Sequence, residues 1–326
     1  MRYSLTLLML VLASPLAAAE PDARKAEKGT FRFEPVDDQK DVPERYRLEA
    51  RDFAYELEFD KALPSAKIDR YKLRFPSPVE TDCKENNTVH AEYYKPRGKD
   101  KFPCVIVLDI TAGNQDLSRT ICTVLAQNGI GGLFVQMAYY GPRRPPGSRR
   151  RLLSPDIPQA MDAVRQTVLD LRCAAAWMAA RPEIDKKQLG IMGTSLGSFM
   201  AALTAEMEPR LGRCAVLLGG GNLVANYYHD PRGVMIRRAW EYFGGTMESL
   251  QEAIAPADPI TCAANLKSRK LLIIAAKKDE IVPPKAAEDL YEASGKQKLI
   301  WYDCGHYTAA FYFVPAMKHI VEHFGK

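Results

Sequence analysis

The stretch QLGIMGTSLGSFMAALTAEM, residues 188–207, decides how this chain is read. Its opening QLGIMG (188–193) is a short apolar run with the composition of a buried strand. Its close, LGSFMAALTAEM, carries the composition of a helix. Between them stands Gly193-Thr194-Ser195-Leu196-Gly197, a G-x-S-x-G. A strand that turns directly into a helix strains its middle residue and makes that hydroxyl project. Side chains two positions before and after would collide, so glycine is required at both. The helix N-terminus beneath the turn favours developing negative charge. Ser195 is therefore the candidate nucleophile.

Outward from this point the pattern repeats. PCVIVLDI (103–110), GGLFVQM (131–137), CAVLLGG (214–220), KLLIIAA (270–276) and KLIWYD (298–303) are further strand-like runs. Continuous apolar, β-branched composition suits a strand covered on both faces. Helical stretches alternate with them at 117–129, 161–182, 196–207, 284–294 and near 309–324. That alternation predicts an α/β fold, a mostly parallel, doubly wound β-sheet flanked by helices with right-handed crossovers. Ligands of such sheets bind at the carboxyl ends of the strands, so functional residues should follow strands directly. YKLRF (71–75) and TVHAEYY (88–94) alternate as half-buried strands do. Residues 222–266 read as an insertion with two short helices that caps the pocket, opened by Gly219-Gly220-Gly221-Asn222. That glycine run lacks the lysine and spacing of a phosphate loop.

The ends of the chain read differently. Residues 1–19 begin with Arg2, continue through LTLLMLVL (5–12) and close on Ala17-Ala18-Ala19, the pattern of a cleavable signal peptide. The apolar run is shorter than the ~20 residues a membrane span needs. The expectation is a secreted or periplasmic protein without stable membrane insertion. Residues 20–69 are highly charged and read as an irregular extension, with a short helix around 46–59, ahead of a catalytic domain at 70–326. The formal net charge of +5 over 326 residues implies neither nucleic acid nor an acidic membrane as partner. The seven cysteines are odd in number, lack a C-x-x-C and lie partly inside apolar runs. Mostly buried thiols are expected, with room for one disulfide.

A serine hydroxyl needs a base to remove its proton. Of five histidines, His306 follows strand 298–303 in Cys304-Gly305-His306, and a base that comes last in the order serine, acid, histidine suits this arrangement. His90 precedes the first buried strand and His229 lies in the insertion. His319 and His323 stand four apart on the last helix, without further ligands nearby in sequence that would make a metal site. The base in turn needs a carboxylate to fix its tautomer. Asp279, two residues after KLLIIAA in KKDEIVPP, fits, while Glu280 should point elsewhere.

GTSLG, DEIVPP and CGH, in that order and after those strands, resemble the α/β-hydrolase superfamily over residues 70–325. The closer resemblance is to its secreted dienelactone-hydrolase-like and acetyl-xylan-esterase-like branches. Dienelactone hydrolases use cysteine in the elbow, so Ser195 does not imply lactone cleavage. The resemblance implies a carboxylic ester hydrolase with a Ser195–Asp279–His306 triad, working without a cofactor or metal. Its partner would be a small-molecule or polysaccharide-linked ester, with oligomeric state open. An oxyanion hole needs two N–H donors. Leu196, after the nucleophile, should give one, and Thr111 the other, with Ile110 as the next choice. Asp109 stands where many relatives carry histidine.

Tyr139-Tyr140-Gly141-Pro142-Arg143-Arg144 follows strand 131–137, at the same sheet edge, with Arg149, Arg150 and Arg151 beyond it. Tyr139, Tyr140, Arg143 and Arg144 are the candidate substrate-binding residues, for a carboxylate or a sugar. Arg149–Arg151 read rather as solvated charges. A peptidase of the prolyl-oligopeptidase type would share this frame but carries a large propeller that 20–69 cannot form. A binding protein on the same fold would be expected to have lost one of the three residues.

Overall fold

A computed structural model of the chain describes residues 26–111 and 115–326. The expected signal peptide and part of the loop after strand 103–110 lie outside the described residues.

Four strands come first: β1 (Glu27–Phe33), β2 (Arg51–Leu63), β3 (Ile68–Pro76) and β4 (Thr88–Pro96). Then the alternation expected from sequence sets in: β5 (Phe102–Leu108), α1 (Asp116–Gln127), β6 (Gly131–Val135), α2 (Ile157–Ala180), β7 (Ile184–Thr194), α3 (Leu196–Met207) and β8 (Leu211–Leu217). Three short helices, α4 (Leu223–Tyr227), α5 (Val234–Tyr242) and α6 (Met247–Ile254), form the insertion, one more than expected. The chain closes with β9 (Lys270–Ala276), α7 (Pro284–Ala293), β10 (Leu299–Tyr302) and α8 (Phe313–Gly325).

All ten strands join one sheet in the order β1-β2-β3-β4-β6-β5-β7-β8-β9-β10. From β6 to β10 the pairs are parallel, and from β1 to β6 along the sheet they are antiparallel. β5 shows why both faces must be covered. Cys104, Ile106 and Leu108 point into a core shared with α2 and α3, while Val105 and Val107 point into one shared with α1 and α8. The strand order turns at β5, which has β6 on one side and β7 on the other. Such a turning point opens a crevice at the strands' carboxyl ends.

The reading of residues 20–69 as irregular, with a helix at 46–59, is overturned. Residues 27–33 and 51–63 are strands, and they continue the same sheet. Phe53, Tyr55, Leu57 and Phe59 alternate with charged or small residues, and one face of β1 and β2 buries Phe31, Phe33, Phe53 and Leu57 in the α2–α3 core. The other face meets water, and its charges pair across strands: Lys28 with Glu56 at 2.7 Å, Arg32 with Asp52 at 3.2 Å, Arg74 with Glu58 at 3.2 Å. What reads as a solvated charged tail is a strand with one wet face. Between these strands Arg172 of α2, fully buried, donates to the Tyr46 carbonyl and to Gln39 Oε1 and pairs with Glu208. It ties the amino-terminal segment to the catalytic half. None of the seven cysteines is bridged, and five are buried.

Candidate active site

Ser195 sits between β7 and α3 with φ 52° and ψ −119°, a backbone conformation that L-residues seldom adopt. The flanking glycines are a packing necessity. A Cβ on Gly193 would lie 2.1 Å from the Gly197 carbonyl, and one on Gly197 would lie 2.5 Å from the Asp109 carbonyl oxygen. The turn is held from behind by the Ser195 amide donating to the Leu217 carbonyl at 2.8 Å. The geometry argued from the pentapeptide is thus the geometry found.

His306 comes to this serine across 111 positions of sequence. Its Nε2 lies 3.0 Å from Ser195 Oγ, and its Nδ1 lies 2.8 Å from Asp279 Oδ2. Asp279 Oδ1 accepts the amides of Ile281 and Val282 at 2.8 and 2.7 Å, which fixes the carboxylate's orientation. All three side chains are nearly buried, so the hydrogen bonds act in a medium of low dielectric. Arg232, at the start of the insertion, donates to the Asp279 carbonyl at 3.1 Å and sets the insertion against the acid's loop.

Glu280 does point away from the base's ring, and it has a task that sequence reasoning missed. Its Oε2 accepts the His306 amide at 2.8 Å, clamping the loop that carries the imidazole. This hydrogen bond holds the carboxyl below its ordinary range. It also explains Gly305, where a Cβ would stand 2.3 Å from the same oxygen.

Leu196 is the first residue of α3, directly after Ser195, so its amide has no partner within the helix. At the end of β5, the Ile110 amide is taken up by Asp109 Oδ1 at 2.7 Å. Of the two amides considered there, that leaves Thr111. The Thr111 carbonyl accepts the Tyr140 hydroxyl at 2.7 Å, and Thr111 borders a cavity of about 630 Å³. Tyr139, Tyr140 and Arg144 line this cavity too.

Arg143 is a different case, and the expectation for it is corrected. It is fully buried, paired with Asp170 at 2.7 Å and donating to the carbonyls of Gln136 and Asn86. No substrate reaches it. Asn86, in the turn before β4, also accepts the Tyr139 amide at 3.0 Å, in a loop where Tyr139 adopts φ 61°. Arg143 and Asn86 together brace the loop that Tyr140 and Arg144 present. The sequence placed Arg143 at the correct strand end. Which way the side chain turned depended on Asp170, a carboxylate on α2 that alternation alone does not reveal.

The arrangement sets a serine hydroxyl against an imidazole whose other nitrogen meets a carboxylate, at the carboxyl ends of parallel strands. The chain has the α/β-hydrolase fold. Acetyl xylan esterase 1 from Thermoanaerobacterium sp. superposes with a TM-score of 0.62 at 20% identity, covering 83% of this chain and 88% of that one. An acetyl xylan esterase from Paenibacillus sp. gives 0.62 at 17% over the same shares. A putative dienelactone hydrolase from Klebsiella pneumoniae gives 0.54 at 20%, over 79% of this chain and 99% of that one. The prolyl oligopeptidase family matches residues 161–306, from within α2 to the histidine itself. An uncharacterised protein of Mycobacterium tuberculosis is 27% identical over 177 residues, or 51% of this chain and 38% of its own length. The solved structures share the hydrolase fold, and the family match over 161–306 spans Ser195, Asp279 and His306.

Proposed function

We propose that the protein hydrolyses carboxylic esters through an acyl-enzyme on Ser195. The observation that carries the reading is His306 Nε2 at 3.0 Å from Ser195 Oγ with Asp279 on the opposite ring nitrogen. In this reading Ser195 Oγ attacks the ester carbonyl while His306 takes its proton. The Leu196 and Thr111 amides receive the negative charge that forms on the carbonyl oxygen. His306 then delivers the proton to the departing alcohol. Water, deprotonated by the same imidazole, attacks the acyl group and frees Ser195. Asp279 keeps the imidazole in the tautomer that accepts at Nε2 and steadies the cation it becomes.

The likeness to acetyl xylan esterases supports esters as the substrate. The match to the prolyl oligopeptidase family supports a second reading, peptide cleavage on the same frame. Residues 27–63, as two strands of the catalytic sheet, leave that reading without a propeller among the described residues. A panel of p-nitrophenyl esters of rising acyl length, acetylated xylan and a prolyl p-nitroanilide peptide separates the two. Turnover of esters with little or none of the anilide is the expected result. Turnover of the anilide alone would replace the ester reading by the peptidase one.

A further inference from the structure

The cavity beside Thr111 holds an imbalance of charge. Among the described residues, the arginines of its loop divide into two kinds. Arg143 is paired with Asp170 and Arg150 with Asp82, the latter through Nη2 to Oδ2 at 2.7 Å. Arg144, Arg149 and Arg151 show no carboxylate partner there, and of these three Arg144 and Arg151 line the cavity. No aspartate or glutamate among the described residues lines it. Arg144 spends Nε and Nη2 on the Ser148 carbonyl, which fixes the plane of its guanidinium and leaves Nη1 without a partner among the described residues. Burial pushes the Tyr140 phenol up to about 12, against the pull of the Arg151 and Arg144 charges, so it stays a donor to Thr111. Gln115, which also lines the cavity, is locked by reciprocal hydrogen bonds with Gln136 at 2.6 and 2.7 Å. The walls are thus braced, aromatic and positive, and Thr111 stands two residues beyond Asp109, whose carbonyl packs against Gly197 of the serine turn.

We propose that this cavity is the subsite for a carboxylate carried by the substrate, received by Arg144 and Arg151 while Tyr139 and Tyr140 face the group that bears it. The proposal rests on the ester-hydrolase reading and narrows it to esters with a negative charge on the acyl or the alcohol part. Two like charges lining one cavity disfavour each other, and a bound anion offsets that cost. A planar guanidinium fixed at Nε suits the flat carboxylate. A volume of about 630 Å³ admits more than an acetyl group, within the range of small-molecule sites.

The test compares p-nitrophenyl acetate, p-nitrophenyl hemisuccinate and 4-acetoxybenzoate, the last two charged on the acyl and the alcohol side. The wild type should prefer at least one charged ester in kcat/KM. The Arg144→Gln/Arg151→Gln protein should lose that preference about tenfold or more, mainly through KM. The Arg144→Lys/Arg151→Lys protein, which keeps the charge, should retain part of it, and added salt should weaken it. A wild type indifferent to substrate charge, or a preference that survives the double glutamine change, overturns the subsite. Binding of 4-acetoxybenzoate to Ser195→Ala protein, followed by calorimetry with and without the two glutamine changes, needs no turnover. Arginine-dependent binding without any ester turnover in the wild type would sink the ester reading and leave the subsite standing. Binding equal in both proteins would sink the subsite.

Discussion

The two halves of the sheet make a useful contrast. From β5 to β10 the strands are parallel and apolar on both faces, and each candidate catalytic residue leaves one at its carboxyl end: Ser195 after β7, Asp279 after β9 and His306 after β10. From β1 to β4 the strands are antiparallel, with most of their buried apolar residues on one face and cross-strand ion pairs on the other. This half contributes no candidate catalytic group, yet Asn86 braces the loop at 139–144 from it, and Arg172 clasps it to α2. Chemistry and support are thus divided along the sheet, and damage to each half should register differently: as lost rate on one side, as lost stability on the other.

The largest effects belong to the parallel half. Ser195→Ala should lower kcat by ~10⁶ and Asp279→Asn by ~10⁴, on the scale of other triad hydrolases. Thermal midpoints near that of the wild type should accompany both losses. A Ser195→Ala protein that kept a tenth of the rate would mean the nucleophile is another residue. Acidification should act in the same direction, because a protonated imidazole cannot accept the serine proton. A rate that does not fall on acidification would argue against a histidine base.

Arg172→Ala should do the reverse. It leaves Glu208 buried with only Arg210 as partner and frees the Tyr46 carbonyl and Gln39. A loss of about 3 kcal/mol in denaturant unfolding is expected, with kcat of the folded protein kept. Loss of kcat without loss of stability would mean the two halves are not separable in this way.

Glu280→Gln is the smallest effect and the sharpest probe of the boundary, since Glu280 touches the base's backbone and no reacting atom. A several-fold drop in kcat at neutral pH is expected, with KM little changed. Because the folded carboxyl is held below its ordinary range, its hold on the loop is complete above the ordinary carboxylate pKa. That hold is lost as pH falls through the lowered value. The wild-type advantage over Glu280→Gln should therefore shrink on acidification. An advantage that does not change with pH would assign Glu280 a shape role only.

The same contrast explains what the sequence disclosed. Strands such as KLLIIAA are buried on both faces and announce themselves by composition, and KLLIIAA coincides with β9. The glycines around Ser195 are legible because a direct steric conflict demands them. RDFAYELEF shows its strand only in the two-residue alternation of Phe53, Tyr55, Leu57 and Phe59, which the density of charge obscures. At the site, Ser195, Asp279 and His306 were readable because order and strand ends constrain them. Arg143 and Arg144 were not separable, since adjacent identical residues differ only in whether a distant Asp170 claims one of them. Glu280 was legible as pointing away, and its acceptance of the His306 amide was not, because backbone partners leave no mark in composition.

The central claim is a covalent bond between substrate and Ser195, and the most direct test is to catch it. Protein quenched in acid during turnover of a p-nitrophenyl ester should carry the mass of one acyl group, and tryptic mapping should place it on the peptide Gln188–Arg210 at Ser195. Ser195→Ala protein treated alike should carry none. An acyl group on any other residue, or equal labelling of the two proteins, would contradict the account.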